Sequence, residues 1–99
     1  MANFNTLINS APAVLVEFYA PWCPHCQEMM PIVDDIRSLL GESMPIYQID
    51  IDQDGELAEE EGVTGTPTFI VYKNGHPAWR HTGEMDGNAL LQKLQQFAG

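Results

Sequence analysis

The sequence predicts an α/β fold, a central mixed sheet of about four strands with helices on both faces. Three observations lead there. Short β-branched and aromatic runs alternate with stretches of helical apolar spacing. The first strand–helix–strand unit calls for a parallel pair with a right-handed crossover. An Asn74-Gly75 turn closes the last two strands into an antiparallel hairpin. At 99 residues the chain can build one real core but not two, so residues 1–99 are read as one domain.

The elements follow in order. Phe4, Leu7 and Ile8 have helical spacing and lead in as a short helix. Val14-Leu15-Val16-Glu17-Phe18-Tyr19 reads as a buried strand. After Cys23 the chain turns helical, with Met29, Ile32, Val33, Ile36 and Leu40 on one face. Pro24 suits the first turn, where a missing N–H costs nothing, Pro31 predicts a kink, and Gly41 a stop. A second strand is expected over residues 46–52. A short acidic helix should begin at Asp54-Gly55 and close at Gly62. Thr68-Phe69-Ile70-Val71-Tyr72 is the third strand and Ala78-Trp79-Arg80-His81-Thr82 the fourth. Asp86 caps a last helix whose core face is Leu90, Leu91, Leu94 and Phe97.

Fourteen acidic residues against four Lys and Arg leave a net charge of −10. Nucleic acid and anionic membranes need clustered cations, so both are excluded as expected partners. No apolar run approaches the ~20 residues that span a bilayer. Met1-Ala2-Asn3-Phe4-Asn5 lacks the basic start and apolar stretch of a secretory signal, which points to the cytoplasm. The two cysteines are Cys23 and Cys26. A bridge across so short a spacer closes almost no loop and restricts the unfolded chain little, so the pair makes better sense as chemistry than as a staple.

Thiolate, not thiol, is the nucleophile. Cys23 would stand at a helix N-terminus, whose free N–H groups and dipole favour an anion. His25 adds a positive charge or a hydrogen bond, and the Cys26 S–H can donate to the Cys23 sulfur. Cys26, one turn into the helix, should be more buried and act as the resolving thiol. The competing reading of Cys-x-x-Cys is half a zinc site, but no second pair exists, and His76 and His81 fall in or beside the hairpin. Phe18, Tyr19, Phe69, Tyr72 and Trp79 are expected to pack the sheet, Met29 likewise, with Met30 left open between packing and docking.

Val16-Glu17-Phe18-Tyr19-Ala20-Pro21-Trp22-Cys23-Pro24-His25-Cys26, then Pro31, Gly65-Thr66-Pro67-Thr68-Phe69, Lys73-Asn74-Gly75 and Gly83 together resemble the thioredoxin family over nearly the whole chain. The resemblance implies a thioredoxin-like fold and a protein-disulfide oxidoreductase whose redox centre is the Cys23–Cys26 dithiol, with no other cofactor and no metal. It implies that Pro67 is a cis-proline facing that pair and that Thr66 offers its backbone to a substrate strand. Trp22 and Gly83 would edge the apolar surface where extended peptides dock. Glu17 would take the place of the buried aspartate that relays a proton to the resolving cysteine. Burial raises a carboxyl pKa toward the range a general base needs. The alternative for Glu17 is a carboxylate that reaches solvent at an edge.

The chain departs from the family in three places. Pro24-His25 replaces the usual Gly-Pro and matches the periplasmic DsbA-type oxidases. Potentials of about −270 mV for thioredoxin and about −120 mV for such an oxidase differ by roughly 7 kcal/mol, and an intermediate value is expected here. Gln48 stands where many thioredoxins carry a lysine beside the buried acid, which should raise the Glu17 pKa further. The family's first strand has no counterpart before Val14. The leading expectation is a monomeric reductase of protein disulfides, recharged by a thioredoxin reductase-like donor. The alternatives are a net oxidase or isomerase, and a redox-quiet binding module on the same fold.

Overall fold

The computed structural model describes residues 3–98; Met1 and Ala2, the start of the segment read for a signal, lie outside them. In chain order the elements are α1 (Phe4–Ile8), β1 (Ala13–Tyr19), α2 (Pro24–Leu40), a 3-10 turn (Gly41–Ser43), β2 (Ile46–Asp50), α3 (Gly55–Glu60), β3 (Thr68–Lys73), β4 (His76–Thr82) and α4 (Gly87–Ala98). The strands form one mixed sheet in the order β2-β1-β3-β4. β1 runs parallel to β2 and antiparallel to β3, and β3 runs antiparallel to β4. This is the expected four-stranded architecture.

β1 lies between two strands and under helices on both faces, which explains why it is apolar except at Glu17. Ala13 and Leu15 point to one side and pack with Met29, Val33, Ile36, Leu90 and Leu94 of α2 and α4. Val14, Val16 and Phe18 point to the other, against Ile8 and Ala58 of α1 and α3. By the same alternation Glu17 falls on the α2 side. The Cα partners of Glu17 are Gln48 on β2 and Phe69 on β3, so a carboxyl group occupies the middle of the sheet.

The α2 helix continues through Pro31 to Leu40 and stops at Gly41, as expected. Strand bounds differ from expectation at β2 and β4. β2 stops at Asp50 because the Asp50 side chain accepts from Asp52 N at 2.8 Å and its carbonyl accepts from Gln53 N and Asp54 N, turning the chain. β4 begins two residues early, at His76, and carries Pro77 in register with Tyr72. An edge strand tolerates that proline because one side of its ladder faces no partner.

Candidate active site

The chain leaves β1 at Tyr19 and turns so that Cys23 N donates to Ala20 O at 3.1 Å. Cys23 then serves as the N-cap of α2, in extended conformation, with Pro24 in the first turn. Its Sγ accepts from Cys26 N at 3.4 Å, the place an N-cap oxygen would hold. Both cysteines are buried, at 4% and 1% exposed, and both are free thiols. Burial pushes the Cys23 thiol up. Hydrogen bonds from the Thr66 and Cys26 side chains and from the Cys26 and His25 backbone outweigh it, and Cys23 ends below the ordinary thiol value. Cys26 goes the other way, pushed up to about 11, first by burial and then by its hydrogen bond with Cys23. The two sulfurs are thereby set apart, Cys23 giving up its proton the more readily.

Four of the expected substrate-facing residues meet here. As a thiol, Cys23 donates to Thr66 O at 3.5 Å. The Thr66–Pro67 bond is cis. Gly83 N donates to Pro67 O at 2.8 Å, at a φ of +101° that favours glycine. Trp22, next to Cys23 in the chain, is 64% exposed and is tethered by Nε1–H donating to Asp52 Oδ2 at 2.9 Å. Sequence pattern puts Asp52 at the end of the expected strand and gives no sign of this contact, whereas β2 ends at Asp50 and leaves Asp52 in the turn.

The His25 side chain makes its main contact away from the two thiols. Its Nδ1 lies 2.7 Å from Glu84 Oε2, an exposed ion pair across 59 residues. The hydrogen bond and the charge of Glu84 raise the imidazole pKa, and the Cys23 charge adds to the rise more weakly. The contribution of His25 to the lowered Cys23 pKa comes through its backbone amide. Nothing in the sequence marks Glu84 beyond its adjacency to Gly83.

Glu17 is 1% exposed, which removes the solvent-reaching alternative. Burial pushes its carboxyl above the ordinary range, against the pull of a hydrogen bond from Gln48 and the charge of Arg37, with Asp34 pushing up. Gln48 Nε2 donates to Glu17 Oε1 at 2.9 Å. Gln48 Oε1 accepts from Arg37 Nη2 at 3.2 Å. Gln48 is therefore a link to a cation that the sequence did not reveal.

Met29 is buried and Met30 is 41% exposed. His76 is exposed, and His81 is half-buried, its ring stacked 6.3 Å from Trp79. Among the described residues no group of three or more His, Cys, Asp and Glu could hold a metal ion, and no helix is long and apolar enough to cross a membrane.

A mixed sheet that delivers a dithiol to a helix N-terminus, opposite a cis-proline, defines the class of thiol–disulfide oxidoreductases. The thioredoxin family profile matches residues 1–96, and the chain belongs to the thioredoxin family. It is 36% identical to a thioredoxin-like protein of Synechocystis over 97% of this chain and 92% of that one. It is 36% identical to the chloroplastic thioredoxin Y of Oryza sativa subsp. japonica, covering 95% of this chain and 56% of that one. It is 42% identical to protein disulfide-isomerase A2 of Homo sapiens over 89% of this chain but only 18% of that protein. The chain thus spans about half of the rice relative's length. Among solved structures, a thioredoxin variant from Halobacterium salinarum superposes with a TM-score of 0.90 at 26% identity, over 100% of this chain and 86% of that one.

Proposed function

We propose that this domain reduces protein disulfides through the Cys23/Cys26 dithiol, working as a monomer. The Cys23 thiolate attacks one sulfur of a substrate disulfide. That S–S bond breaks, the far sulfur leaves as a thiolate, and a Cys23–substrate disulfide forms. Glu17 takes the Cys26 proton through water. Cys26 attacks Cys23 Sγ, and the second substrate sulfur leaves as a thiolate. Two electrons have passed to the substrate, and the Cys23–Cys26 disulfide awaits a dithiol donor such as a thioredoxin reductase. No further cofactor is needed. Trp22, Thr66, Pro67 and Gly83 bound the surface a substrate strand would use, and Pro24 and His25 set the spacing and amide placement at the helix start.

The observation that supports this reading is the pairing of a lowered Cys23 with a Cys26 pushed up to about 11 inside one helical turn. The reading belongs with a compartment that keeps thiols reduced, such as the cytoplasm; the chloroplastic rice relative shows that the family is not tied to it. Insulin reduction by dithiothreitol is the test. Wild type accelerates precipitation and Cys23→Ser does not; equal rates for both would sink the proposal.

A second reading is a net oxidase or isomerase. It is favoured by the disulfide-isomerase relative and by Pro24-His25 paired with Glu84. The Cys23–Cys26 potential, measured against glutathione, separates the two. A value near about −120 mV selects the oxidase and one near about −270 mV the reductase.

A further inference from the structure

We propose that Arg37 and Gln48 form a positioning relay that holds Glu17 as a carboxylate ready to accept the Cys26 proton. The inference rests on the reading of Glu17 as the base for resolution. It is carried by one continuous chain of hydrogen bonds, from Arg37 Nη2 to Gln48 Oε1 at 3.2 Å and from Gln48 Nε2 to Glu17 Oε1 at 2.9 Å.

The direction of that chain is what matters. A guanidinium only donates, whereas a primary amide has one accepting and one donating end. Arg37 can therefore engage only the oxygen of Gln48, and this turns the amide nitrogen inward to Glu17. An N–H donor beside a carboxyl favours its charged form; a carbonyl oxygen there would instead accept the acid proton and hold it. Arg37 thus selects, through Gln48, the protonation state a base requires. The guanidinium is braced for this by Asp34 Oδ1 at 2.9 Å and by Ile46 O at 3.4 Å. Eleven residues separate Cys26 from Arg37, about three turns, so both lie on one side of α2.

Few other groups face Glu17. From α2 come Arg37, whose charge favours the carboxylate, and Asp34, whose charge opposes it. From β2 comes Gln48, and from β3 its Cα partner is Phe69, which carries no charge. With Asp34 opposing, the Arg37–Gln48 chain is the source of anion stabilisation at a buried site.

The reaction of the reduced protein with 5,5′-dithiobis(2-nitrobenzoate) tests this, because it separates the two steps. Attack by Cys23 releases a first thiolate, and attack by Cys26 on the mixed disulfide releases a second. The rate of the second release is followed against pH. Arg37→Met should move the acid limb of that profile to higher pH and slow resolution several-fold at neutrality, leaving the high-pH plateau and the first release unchanged. Arg37→Lys keeps a cationic donor and should restore most of the wild-type profile. An unmoved acid limb in Arg37→Met overturns the relay. So does an equal slowing at every pH that Arg37→Lys fails to rescue, which would mark Arg37 as a support of the fold alone. Glu17→Gln distinguishes the parent reading: a wild-type second release in that variant removes Glu17 as the base, whatever Arg37 does. Absence of any second release from wild type would count against the dithiol itself.

Discussion

Cys23 and Cys26 are the same group under nearly the same cover, 4% and 1% exposed, yet their proton affinities move in opposite directions. Burial penalises both thiolates. Cys23 differs because it caps a helix and collects hydrogen bonds, whereas Cys26 lies one turn in and gives its own hydrogen toward Cys23. The site's asymmetry thus comes from hydrogen bonding, the Thr66 and Cys26 side chains first and the amides at the helix start after them. The spacing of the two cysteines around Pro24 made part of it legible in the sequence. His25 was legible only in part, because its partner Glu84 is 59 residues away and no local pattern pairs them. A prediction follows from that pair. Glu84→Gln removes the carboxylate that holds the imidazolium, so the His25 pKa should fall toward the ordinary imidazole range in a ring-proton NMR titration. The Cys23 thiolate absorbance should titrate nearly as in wild type, since backbone amides and neighbouring side chains lower it. A thiolate curve that moves as far as His25 does would mean that the ring charge governs the nucleophile.

At the scale of elements, the segments whose burial is two-sided were the readable ones. Apart from Glu17, the inner positions of β1 and β3 are almost all apolar because helices cover both faces, and the α2 and α4 stripes follow helical spacing onto one core. Boundaries were less readable where a side chain or a proline decides them, as Asp50 ends β2 and Pro77 sits within the edge strand β4. The polar chain through Gln48 was not readable at all, since it joins β1, β2 and α2 and depends on which end of an amide faces inward. The β3–β4 turn shows how strictly a legible element can be held. Asn74 and Gly75 both adopt positive φ, +52° and +81°. A Cβ on Gly75 would also run into the Asn9 side chain after α1, 2.9 Å from Nδ2. Gly75→Ala should therefore lose about 1–3 kcal/mol, the cost of left-handed strain with the crowding to be relieved besides. Urea unfolding checks it. Wild-type stability would show that the hairpin and Asn9 yield together.

For the whole molecule, stability and chemistry meet at Glu17. The chain carries a net charge of −10 with Glu17 counted, and buries that carboxyl in the centre of its sheet. The folded Glu17 pKa is raised above its unfolded value, by burial first. Between the ordinary carboxyl range, about 4.3 for glutamate, and the raised folded value, the folded chain keeps a proton that the unfolded chain has lost. Folding is then linked to proton binding, so stability falls as pH rises through that window, and the penalty is complete above it. Glu17→Gln removes the charge and keeps a side chain of the same length, with an oxygen that can still accept from Gln48. Under reducing conditions its melting temperature should exceed that of wild type near about pH 8, on a scale where about 1 kcal/mol moves the midpoint by about 4–8 °C in a domain of this size. The difference should shrink steadily toward about pH 4, where both proteins are neutral at this position. A difference of the same size at both ends would place its origin in packing instead of charge. A wild type more stable than Glu17→Gln at high pH would mean that Gln48 and Arg37 offset the burial cost completely. The expected result is a domain more stable without its base, at the pH where that base would be working.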